Sequence, residues 1–406
     1  MASHATVRLA SAAGAALFAF ALLHPGEARA GKATTPVPSA TLSLMAAKDV
    51  DPRAPILIRA FKKEAEMEVW KRNRAGRYVL LKTFPICRWS GQLGPKRRTG
   101  DRQTPEGFYA VPAGKMNPNS AYHLSFDVGY PNAYDRAHGG TGAFLMTHGT
   151  CSSMGCFAMT DAQITEIYAL ARDALAAGQH AFQFQSYPFR MTAQNMARAR
   201  TEPHIEFWRQ LKEGYDRFEA AGEELPVSVT AGRYTFPAYR NPAREEAAVA
   251  HVAEEKAKVE KLVADGAGAV RITYSDGGMH PAFAALWRRG GYVGQVSRPE
   301  ALAMAGHEIV TIAARRKPPA TVLAAAAKPK PPATPPADEM RPATTASLGA
   351  PRVPAAPSGD VQALFARAAY RADRVTVEAR AMPGSAVILP AAFQASPPEK
   401  LASRGV

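Results

Sequence analysis

Three short apolar runs follow residue 55, and their pattern predicts β-strands. The runs cover residues 56–61, 66–71 and 78–84, and charged or glycine-containing turns separate them. Runs rich in β-branched and aromatic residues between turn residues are typical of strands, and short connections favour antiparallel pairing. We therefore expect an antiparallel meander that opens a β domain.

A further apolar run at residues 144–146 is followed by a loop and then by a helical pattern. The helix is predicted to begin after Thr160, because Thr160 and Gln163 form a capping box. Apolar residues then recur at helical spacing as far as Gly178, which is predicted to end the helix. The order of elements in this part of the chain is therefore strand, loop, helix.

After this helix, the pattern predicts a strand, two helices and a hairpin that completes the domain. These elements cover residues 182–185, 192–200, 205–212 and 227–236, respectively. The sequence therefore predicts a domain at residues 55–240 that is mainly β with flanking helices, an α+β fold.

The segments before this domain have the composition of targeting and leader sequences. Residues 1–30 combine Arg8, an apolar run at 12–23 and a small-x-small motif at 28–30, which together predict an export signal peptide. An uncleaved membrane anchor is the alternative. Residues 31–54 are rich in Ala, Thr and Pro, and we expect a flexible leader there.

Three further segments follow the domain. Residues 241–315 contain a charged helix at Pro242–Ala264 and several shorter elements, and they predict a small appended α/β module. Residues 316–358 are dominated by Pro, Ala and Lys and predict a linker, because this composition buries too little apolar surface to form a core. Residues 359–406 predict a tail with one helix at 360–374.

The formal net charge is +15, which favours polyanionic surroundings such as nucleic acid, anionic lipid or the carboxylate-rich bacterial wall. The export signal argues against nucleic acid, and the basic residues lack the aromatic spacing of a base-stacking surface. No run after the signal approaches the roughly 18 apolar residues that a membrane-spanning helix requires, so we expect no stable membrane span after signal cleavage. These observations predict a periplasmic protein associated with the cell wall.

One loop places a base and a thiol together. His148 precedes Cys156 by eight positions, and Gly155 lies directly before the cysteine. A nearby imidazole lowers the pKa of a thiol and returns a proton to the leaving amine, so Cys156 is the predicted nucleophile and His148 its base. The backbone N–H groups of Met154, Gly155 and Cys156 are predicted to form an oxyanion hole, because a glycine turn lets consecutive amides point the same way.

The chain has three cysteines, so at least one thiol stays free in an oxidising compartment. We assign the free thiol to Cys156 and a disulfide to Cys87 and Cys151. A Cys151–Cys156 disulfide is the competing pair and would abolish the nucleophile. A role for Cys156 as a buried apolar residue stays open, and so does zinc binding by His148, Cys151 and Cys156, for which a second paired ligand motif is lacking.

Polar residues on both sides of the central strand are candidates for substrate contact. Asp135, Arg136 and His138 belong to the loop before the strand and are predicted to line the cleft, with surface ion pairing as the alternative. Ser153 lies in the nucleophile loop, where serine is typical of turns and its hydroxyl assists the loop.

Several short motifs are spread between residues 94 and 192. They are Gly94-Pro95-Lys96, Gly100-Asp101, Thr104-Pro105-Glu106-Gly107-Phe108-Tyr109, His148-Gly149, Ser153-x-Gly155-Cys156 and Tyr187-Pro188-Phe189-Arg190-Met191-Thr192. Together they resemble the L,D-transpeptidase catalytic (YkuD-type) domain, and within it the murein L,D-transpeptidase subgroup whose enterobacterial member detaches a lipoprotein from peptidoglycan. The resemblance covers residues 55–240 and says nothing about residues 241–406.

The resemblance implies that Cys156 is the nucleophile, that His148 is its base, and that the substrate is the stem peptide of peptidoglycan. The thiolate then attacks the carbonyl of the L-centre of meso-diaminopimelate, and the terminal D-alanine leaves. An amine of a second stem peptide gives a 3→3 cross-link, an amine of a protein anchors that protein, and water gives hydrolysis. No metal or organic cofactor is implied.

The nucleophile loop departs from the family pattern. The family usually has a histidine two places before the cysteine and an arginine or asparagine two places after it, whereas this chain has Met154 and Ala158. The base also lies closer to the cysteine in sequence than is usual. Arg136 or the basic cluster at residues 96–98, which includes Lys96, is therefore predicted to bind the substrate carboxylate instead.

Three functions follow from these observations. The first is an exported cysteine L,D-transpeptidase that acts on stem peptides. The second is a hydrolase (amidase) that cleaves the diaminopimelate–protein link by which an outer-membrane protein or lipoprotein is anchored, and the missing polar groups are compatible with it. The third is a non-catalytic cell-wall-binding scaffold, which the basic, Pro-rich C-terminal third favours. Peptidoglycan is the expected partner in each case.

Overall fold

The structure is a computed structural model that describes residues 31–304 and 306–315. The predicted signal peptide, the linker and the predicted helix at 360–374 lie outside the described residues. None of the helices in the described ranges has the length and apolar character that a bilayer crossing needs.

The helices and strands of the described residues are as follows. The strands are β1 (Ile56–Phe61), β2 (Glu66–Arg72), β3 (Tyr78–Pro85), β4 (Gly107–Pro112), β5 (Met116–Asn117), β6 (Ser125–Asp127), β7 (Met146–His148), β8 (Phe157–Ala158), β9 (Ala181–Tyr187), β10 (Ser228–Thr230), β11 (Arg233–Thr235), β12 (Ala269–Thr273) and β13 (His307–Ile312). The α-helices are α1 (Ser39–Ala47), α2 (Ala133–Ala137), α3 (Asp161–Ala176), α4 (Ala193–Arg198), α5 (Ile205–Ala221), α6 (Pro242–Ala264) and α7 (Pro281–Arg288). Short 3₁₀ helices lie at Lys32–Thr34, Ala113–Lys115 and Pro299–Met304.

The larger sheet has five strands in the order β3-β2-β1-β9-β4. β1, β2 and β3 form the antiparallel meander that the pattern predicts, whereas β9 lies parallel to β1 and antiparallel to β4. All six residues of β1 are buried, as expected for a central strand that is covered on both faces.

The smaller sheet has four strands in the order β5-β6-β7-β8, and it carries the loop with His148 and Cys156. Its Phe126 packs edge-on against Phe182 of β9 at a centroid distance of 5.4 Å, and its Phe157 lies 5.3 Å from Phe184. These aromatic contacts join the two sheets in one core, so the nucleophile loop is attached to a rigidly packed pair of sheets. Two sheets with flanking helices confirm the predicted α+β class.

Helix α3 begins where the sequence places it. Thr160 is its N-cap, and the capping box with Gln163 is formed in both directions. Helix α5, in contrast, runs nine residues beyond the predicted end at residue 212. Gly214 lies inside this helix. A Cβ there would lie 2.5 Å from Cζ of Phe108, so the glycine permits close packing of the helix against Phe108. The helix ends at Gly222, which has the left-handed conformation of a C-terminal cap.

Residues 31–54 differ from the predicted flexible leader. They contain α1, whose Met45 is fully buried, and Val50 is buried in the same core. The Thr41 hydroxyl also donates to the Glu166 carboxylate of α3. The prediction was wrong because average composition hides the few residues that anchor this segment.

Residues 241–315 pack on the catalytic part rather than standing beside it as a separate module. Helix α6 lies along α5, and two ion pairs join them: Lys212 with Glu255 at 2.9 Å and Arg217 with Glu245 at 2.6 Å. The residues after α6 extend to the nucleophile loop itself.

Candidate active site

Cys156 lies directly before β8 and is a free thiol that is partly exposed. Its Sγ accepts a hydrogen bond from the Met146 N–H at 3.4 Å. Burial raises the pKa of the Cys156 thiol. The N–H of Met146 and the ammonium of Lys96 lower it, and the carboxylate of Asp127 raises it, without changing the direction of the shift. The thiol is therefore protonated at neutral pH and needs a base before it can attack a carbonyl.

His148 has the properties of that base. Its Nδ1 lies 2.5 Å from the Gly149 carbonyl oxygen. A carbonyl only accepts, so Nδ1 carries the proton and Nε2 has a free lone pair. Burial lowers the pKa of His148, although the Gly149 carbonyl and the Asp161 carboxylate oppose this shift. The imidazole is therefore neutral at pH 7 and ready to accept a proton at Nε2.

The pairing of β7 with β8 brings the chain segments that carry the base and the thiol next to each other. β7 and β8 are parallel, with Thr147 opposite Phe157 and His148 opposite Ala158. One step back along this register sets Met146 opposite Cys156, which agrees with the contact between the Met146 N–H and Sγ. The paired strands therefore bring the thiol next to Met146, two residues before His148.

Gly149 fixes the imidazole and was not identified as a functional position from the sequence. Its N–H donates to the carbonyl oxygens of Tyr122 and Leu124 at 3.0 and 3.2 Å, which holds the carbonyl that orients His148. A Cβ at Gly149 would lie 2.5 Å from Asp161 Oδ1 and 2.9 Å from Cβ of His123. The position therefore accepts only glycine without a shift of the neighbouring chain.

Ser153 supports the loop, as its turn position predicts, and its burial contradicts only its place among the candidates for substrate contact. Its side chain is buried, donates to the Cys156 carbonyl oxygen at 2.7 Å and shares a hydrogen bond with Ser90 Oγ at 2.9 Å. Its N–H donates to Ser297 Oγ at 2.9 Å. A buried hydroxyl with these partners is not free to bind substrate.

In the predicted oxyanion hole, the Gly155 amide is also occupied by a hydrogen bond within the loop. Gly155 has φ of +123°, a conformation that favours glycine, and its N–H donates to Ser153 Oγ at 3.3 Å. That bond must open before the Gly155 amide can donate to a substrate oxygen. Met154 lies beside it with 70% of its surface exposed, so the loop presents an apolar side chain next to the thiol.

Asp135 was also predicted to line the cleft, and it is buried in α2. It forms a capping box with Asn132, whose side chain accepts from the Asp135 N–H while the Asp135 carboxylate accepts from the Asn132 N–H. Burial raises the pKa of Asp135 to about 6, although hydrogen bonds from Asn132 and Tyr109 oppose the shift. The residue shapes the helix and does not reach substrate.

Arg136 and His138 remain exposed on α2. The Arg136 guanidinium donates to the Pro131 carbonyl oxygen, and His138 stacks on Tyr134 with ring centroids 4.1 Å apart. Their predicted contact with substrate stays a prediction.

Lys96 is not available as a free cation. Its ammonium is buried, forms an ion pair with Asp101 at 2.5 Å and donates to the Arg98 carbonyl oxygen at 3.0 Å. The prediction that Lys96 binds a substrate carboxylate was therefore wrong, because Asp101 from the same loop neutralises it. The side chains of Arg97 and Arg98 are exposed, and they keep the basic character of this loop at the surface.

The structure joins Cys87 to Cys151 in a disulfide and leaves Cys156 free. This bond removes Cys151 from the zinc site that it would share with His148 and Cys156. In the described part of the chain, no three His, Cys, Asp or Glu side chains converge in a group that would hold a metal ion.

Exposed apolar side chains occur on the segments around β7 and the nucleophile loop, and no sequence motif marked them as a group. Tyr122 stacks on His148 with centroids 4.7 Å apart and is 45% exposed, and Phe144 is 73% exposed just before β7. We call these two residues, together with Met154 of the nucleophile loop, the apolar rim. A cavity of about 590 Å³ between α4, α5 and α6 contains none of the candidate site residues.

Comparisons with known proteins agree with the resemblance seen in the motifs. A model of the family described as YkuD, the L,D-transpeptidase catalytic domain, matches residues 56–177. The protein named "Putative L,D-transpeptidase YafK" from Escherichia coli strain K12 is 46% identical over 181 residues, which are 45% of this chain and 73% of that protein. The protein of the same name from Escherichia coli O157:H7 gives the same values.

Two solved structures show weaker likeness. The helical cell shape determining protein Pgp2 from Campylobacter jejuni has 12% identity and a TM-score of 0.27, covering 57% of this chain and 80% of that chain. The structure of Bdellovibrio bacteriovorus Bd1075 has 18% identity and a TM-score of 0.24, covering 54% and 75%, respectively.

Proposed function

Because this chain belongs to the L,D-transpeptidase family with the YkuD-type catalytic domain, we propose that it is an exported cysteine acyltransferase that acts on the stem peptides of peptidoglycan. The proposal is supported by a free thiol at Cys156 and a neutral imidazole at His148 on two chain segments that the pairing of β7 with β8 brings together. This combination is what a cysteine acyltransferase requires before its substrate binds.

The first half of the reaction forms a thioester. Nε2 of His148 takes the proton of Cys156, and the thiolate attacks the carbonyl carbon at the L-centre of meso-diaminopimelate. The tetrahedral oxyanion collapses, the bond to the terminal D-alanine breaks, and the imidazolium returns its proton to the leaving amine. His148 is suited to both steps because its Nδ1–H stays bonded to the Gly149 carbonyl throughout.

The second half transfers the acyl group. An incoming amine loses a proton to the neutral imidazole and attacks the thioester, and the sulfur leaves and regains a proton from His148. A diaminopimelate amine gives a 3→3 cross-link, and a protein amine gives an anchored protein. The basic and exposed Arg97 and Arg98 are the nearest candidates in the 96–98 cluster for a substrate carboxylate, since Lys96 is neutralised by Asp101.

The alternative is an amidase that uses water to cleave a diaminopimelate–protein link. The exposed apolar rim of Tyr122, Phe144 and Met154 favours this alternative, because it suits a protein chain better than the charged end of a stem peptide. The thioester chemistry is the same, and only the leaving group and the acceptor differ.

The experiment incubates the purified exported chain with sacculi and identifies the products by mass spectrometry. New 3→3 dimers support transfer, and release of a bound protein free of diaminopimelate, with its former stem peptide left on the sacculus, supports the amidase. Cys156→Ser removes the nucleophile and must abolish either product, while Ser152→Ala changes a neighbouring turn residue and serves as the matched control.

A carbapenem separates the enzyme from the non-catalytic scaffold. It acylates a competent thiol, so a mass adduct on Cys156 that is absent in Cys156→Ser is the expected result. A reduced and folded chain that gains no adduct and alters no muropeptide would contradict the proposal and favour the scaffold.

A further inference from the structure

Asp276 is a buried carboxylate that draws distant parts of the chain together. It is 3% exposed and accepts from the Gly91 N–H at 3.1 Å and from the Arg102 Nη2 at 2.6 Å. The guanidinium groups of Arg88 and Arg298 each lie 3.5 Å from the same carboxylate. Three guanidinium groups therefore gather around one buried carboxylate, and of the three Arg298 also pairs with Glu300 at 3.3 Å.

Two of these arginines contact the chain on opposite sides of the nucleophile. Arg102 Nη2 also donates to the Ser153 carbonyl oxygen at 3.2 Å, three residues before Cys156. The backbone of Arg88 exchanges hydrogen bonds with Ala158, two residues after Cys156, at 3.0 and 2.9 Å. Asp276 therefore holds partners that fix the chain before and after the reactive sulfur.

Ser297, which follows Asp276 in the chain, makes a second set of contacts with the same part of the molecule. Its hydroxyl accepts from the Ser153 N–H at 2.9 Å and is also 3.2 Å from the Ser153 carbonyl oxygen. Its carbonyl oxygen accepts from Arg88 Nε at 3.2 Å. Asp276 and Ser297 thus converge on Ser153 and Arg88 from two points.

Between these two residues, the segment covers the disulfide. Phe283 and Val293 form a buried apolar cluster with Cys87 and Cys151. A Cβ added at Gly294 would lie 3.5 Å from the Cys151 backbone nitrogen, so the segment passes close to the start of the nucleophile loop. We name residues 276–298 the brace.

The loop needs such support because its backbone is not in a preferred conformation. Thr150 and Arg102 have φ of +61° and +59°, which L-residues other than glycine rarely adopt. Conformations of this kind persist only where surrounding contacts over-determine them. The brace supplies several of those contacts, although it lies outside residues 56–177, which the family model matches.

We propose that the brace is part of the active site, with Asp276 and Ser297 as positioning residues that hold the Cys156 thiol in line with His148. The inference rests on the proposed function for the reaction it serves, and it concerns residues that touch neither the substrate nor the reacting atoms. It assigns a role to a segment whose sequence carries no catalytic motif.

The test compares Asp276→Asn with Glu202→Gln in the full chain. Asp276→Asn keeps the shape of the side chain and removes the carboxylate that Arg88 and Arg102 share, while Arg298 keeps its ion pair with Glu300. Glu202 is the matched control, because it is also a mostly buried carboxylate that holds β12, just before the brace, by accepting from the Ile272 N–H at 2.9 Å. It does not contact the nucleophile loop.

Two rates at Cys156 are measured by mass spectrometry: acylation by a carbapenem and alkylation by iodoacetamide. In Asp276→Asn, we expect acylation to fall by about 10- to 100-fold, the loss that follows from small misplacement of a reacting group. We expect alkylation at pH 7 to fall about 3- to 10-fold, because the thiol loses its base. Asp276→Glu is expected to recover part of both rates.

These readouts distinguish positioning from simple stability. A chain that is only destabilised exposes its thiol, so its alkylation rises, and Glu202→Gln shows the same change. If both rates of Asp276→Asn lie within about twofold of those of Glu202→Gln, the proposal is overturned.

Two further outcomes are decisive. If Asp276→Asn does not fold, Ser297→Ala replaces it, with an expected fall in acylation of about 3- to 10-fold, and an unchanged rate overturns the proposal. If wild-type Cys156 is not acylated at all, the proposed function fails. The brace is then judged by alkylation alone, for which equal rates in Asp276→Asn and Glu202→Gln overturn it.

Discussion

The five-stranded sheet and the nucleophile loop hold their residues in place by different kinds of contact. In the sheet, ladder hydrogen bonds repeat along each strand, and Phe61 of β1 stacks on Tyr187 of β9 at 5.6 Å. In the loop, single side chains such as Ser153 each secure several backbone groups. The sheet therefore distributes its stability over many similar contacts, whereas the loop concentrates its geometry in a few.

Because the contacts differ, substitutions in the sheet and in the loop should affect different measured quantities. Loss of a packing residue in the sheet lowers the free energy of unfolding and leaves the remaining folded molecules competent. Loss of a loop residue leaves the fold and changes the chemistry. The following changes test this separation.

The largest expected effect is on the loop. His148→Gln removes the group that accepts the thiol proton, so the rate of Cys156 acylation by a carbapenem should fall by about 10²- to 10⁴-fold. The free energy of unfolding in urea should change by less than about 1.5 kcal/mol. Acylation within tenfold of wild type would show that another group deprotonates the sulfur.

The second effect is on the sheet. Phe61→Ala empties a fully buried site beside Tyr187 and Tyr215 and should lower the free energy of unfolding by about 3–5 kcal/mol. The acylation rate of the protein that remains folded should stay within about threefold of wild type. Phe61→Leu is the control and should lose less stability. A large loss of acylation without a loss of stability would contradict the separation.

The third effect is the response of the loop to pH. Burial lowers the pKa of His148 below its ordinary value of about 6.5, so the neutral base persists at pH 6.5 and is lost only at lower pH. The acylation rate should therefore fall with a midpoint below pH 6.5 and approach a tenfold loss per pH unit at lower pH. Unfolding free energies measured at each pH serve as the control. A rate that is already halved above pH 7 would mean that burial does not set the pKa.

The smallest effect tests the boundary between the two regions. Thr160 lies four residues after Cys156, but its hydroxyl caps α3 by accepting from the Gln163 N–H at 3.3 Å. Thr160→Ala should cost about 1 kcal/mol of unfolding free energy, and acylation should change by less than about twofold. Thr160→Ser keeps the cap and should restore the stability. A drop in acylation instead would place Thr160 with the loop.

The parts of the fold that depend on local pattern could be predicted from the sequence. The meander of β1, β2 and β3 and the capping box at Thr160 both follow from residues that are near one another in the chain. The pairing of β9 with β1 could not be predicted, because no local signal specifies a partner more than a hundred residues away.

The same limit explains the errors at the site. Lys96, Asp135 and Ser153 are polar residues in loops, and sequence alone does not separate a polar side chain that faces substrate from one that is buried on a partner. Their partners come from contacts that only the folded chain brings together, such as Asp135 with Tyr109 and Ser153 with Ser90. Cys156 and His148, in contrast, are only eight positions apart, so the sequence could predict that they lie near each other.

The Cys87–Cys151 disulfide bears on the compartment in which the candidate active site can mature. Cys151 lies only five residues from Cys156, and its bond to Cys87 spans 64 residues and ties the start of the loop to the chain just after β3. In a compartment that keeps thiols reduced, the chain carries three free sulfurs and a loop with one attachment fewer. Later oxidation can then join Cys151 to Cys156 and silence the nucleophile. Formation of the Cys87–Cys151 disulfide thus keeps Cys151 from bonding to Cys156. It makes maturation of the site depend on the redox conditions in which the chain folds.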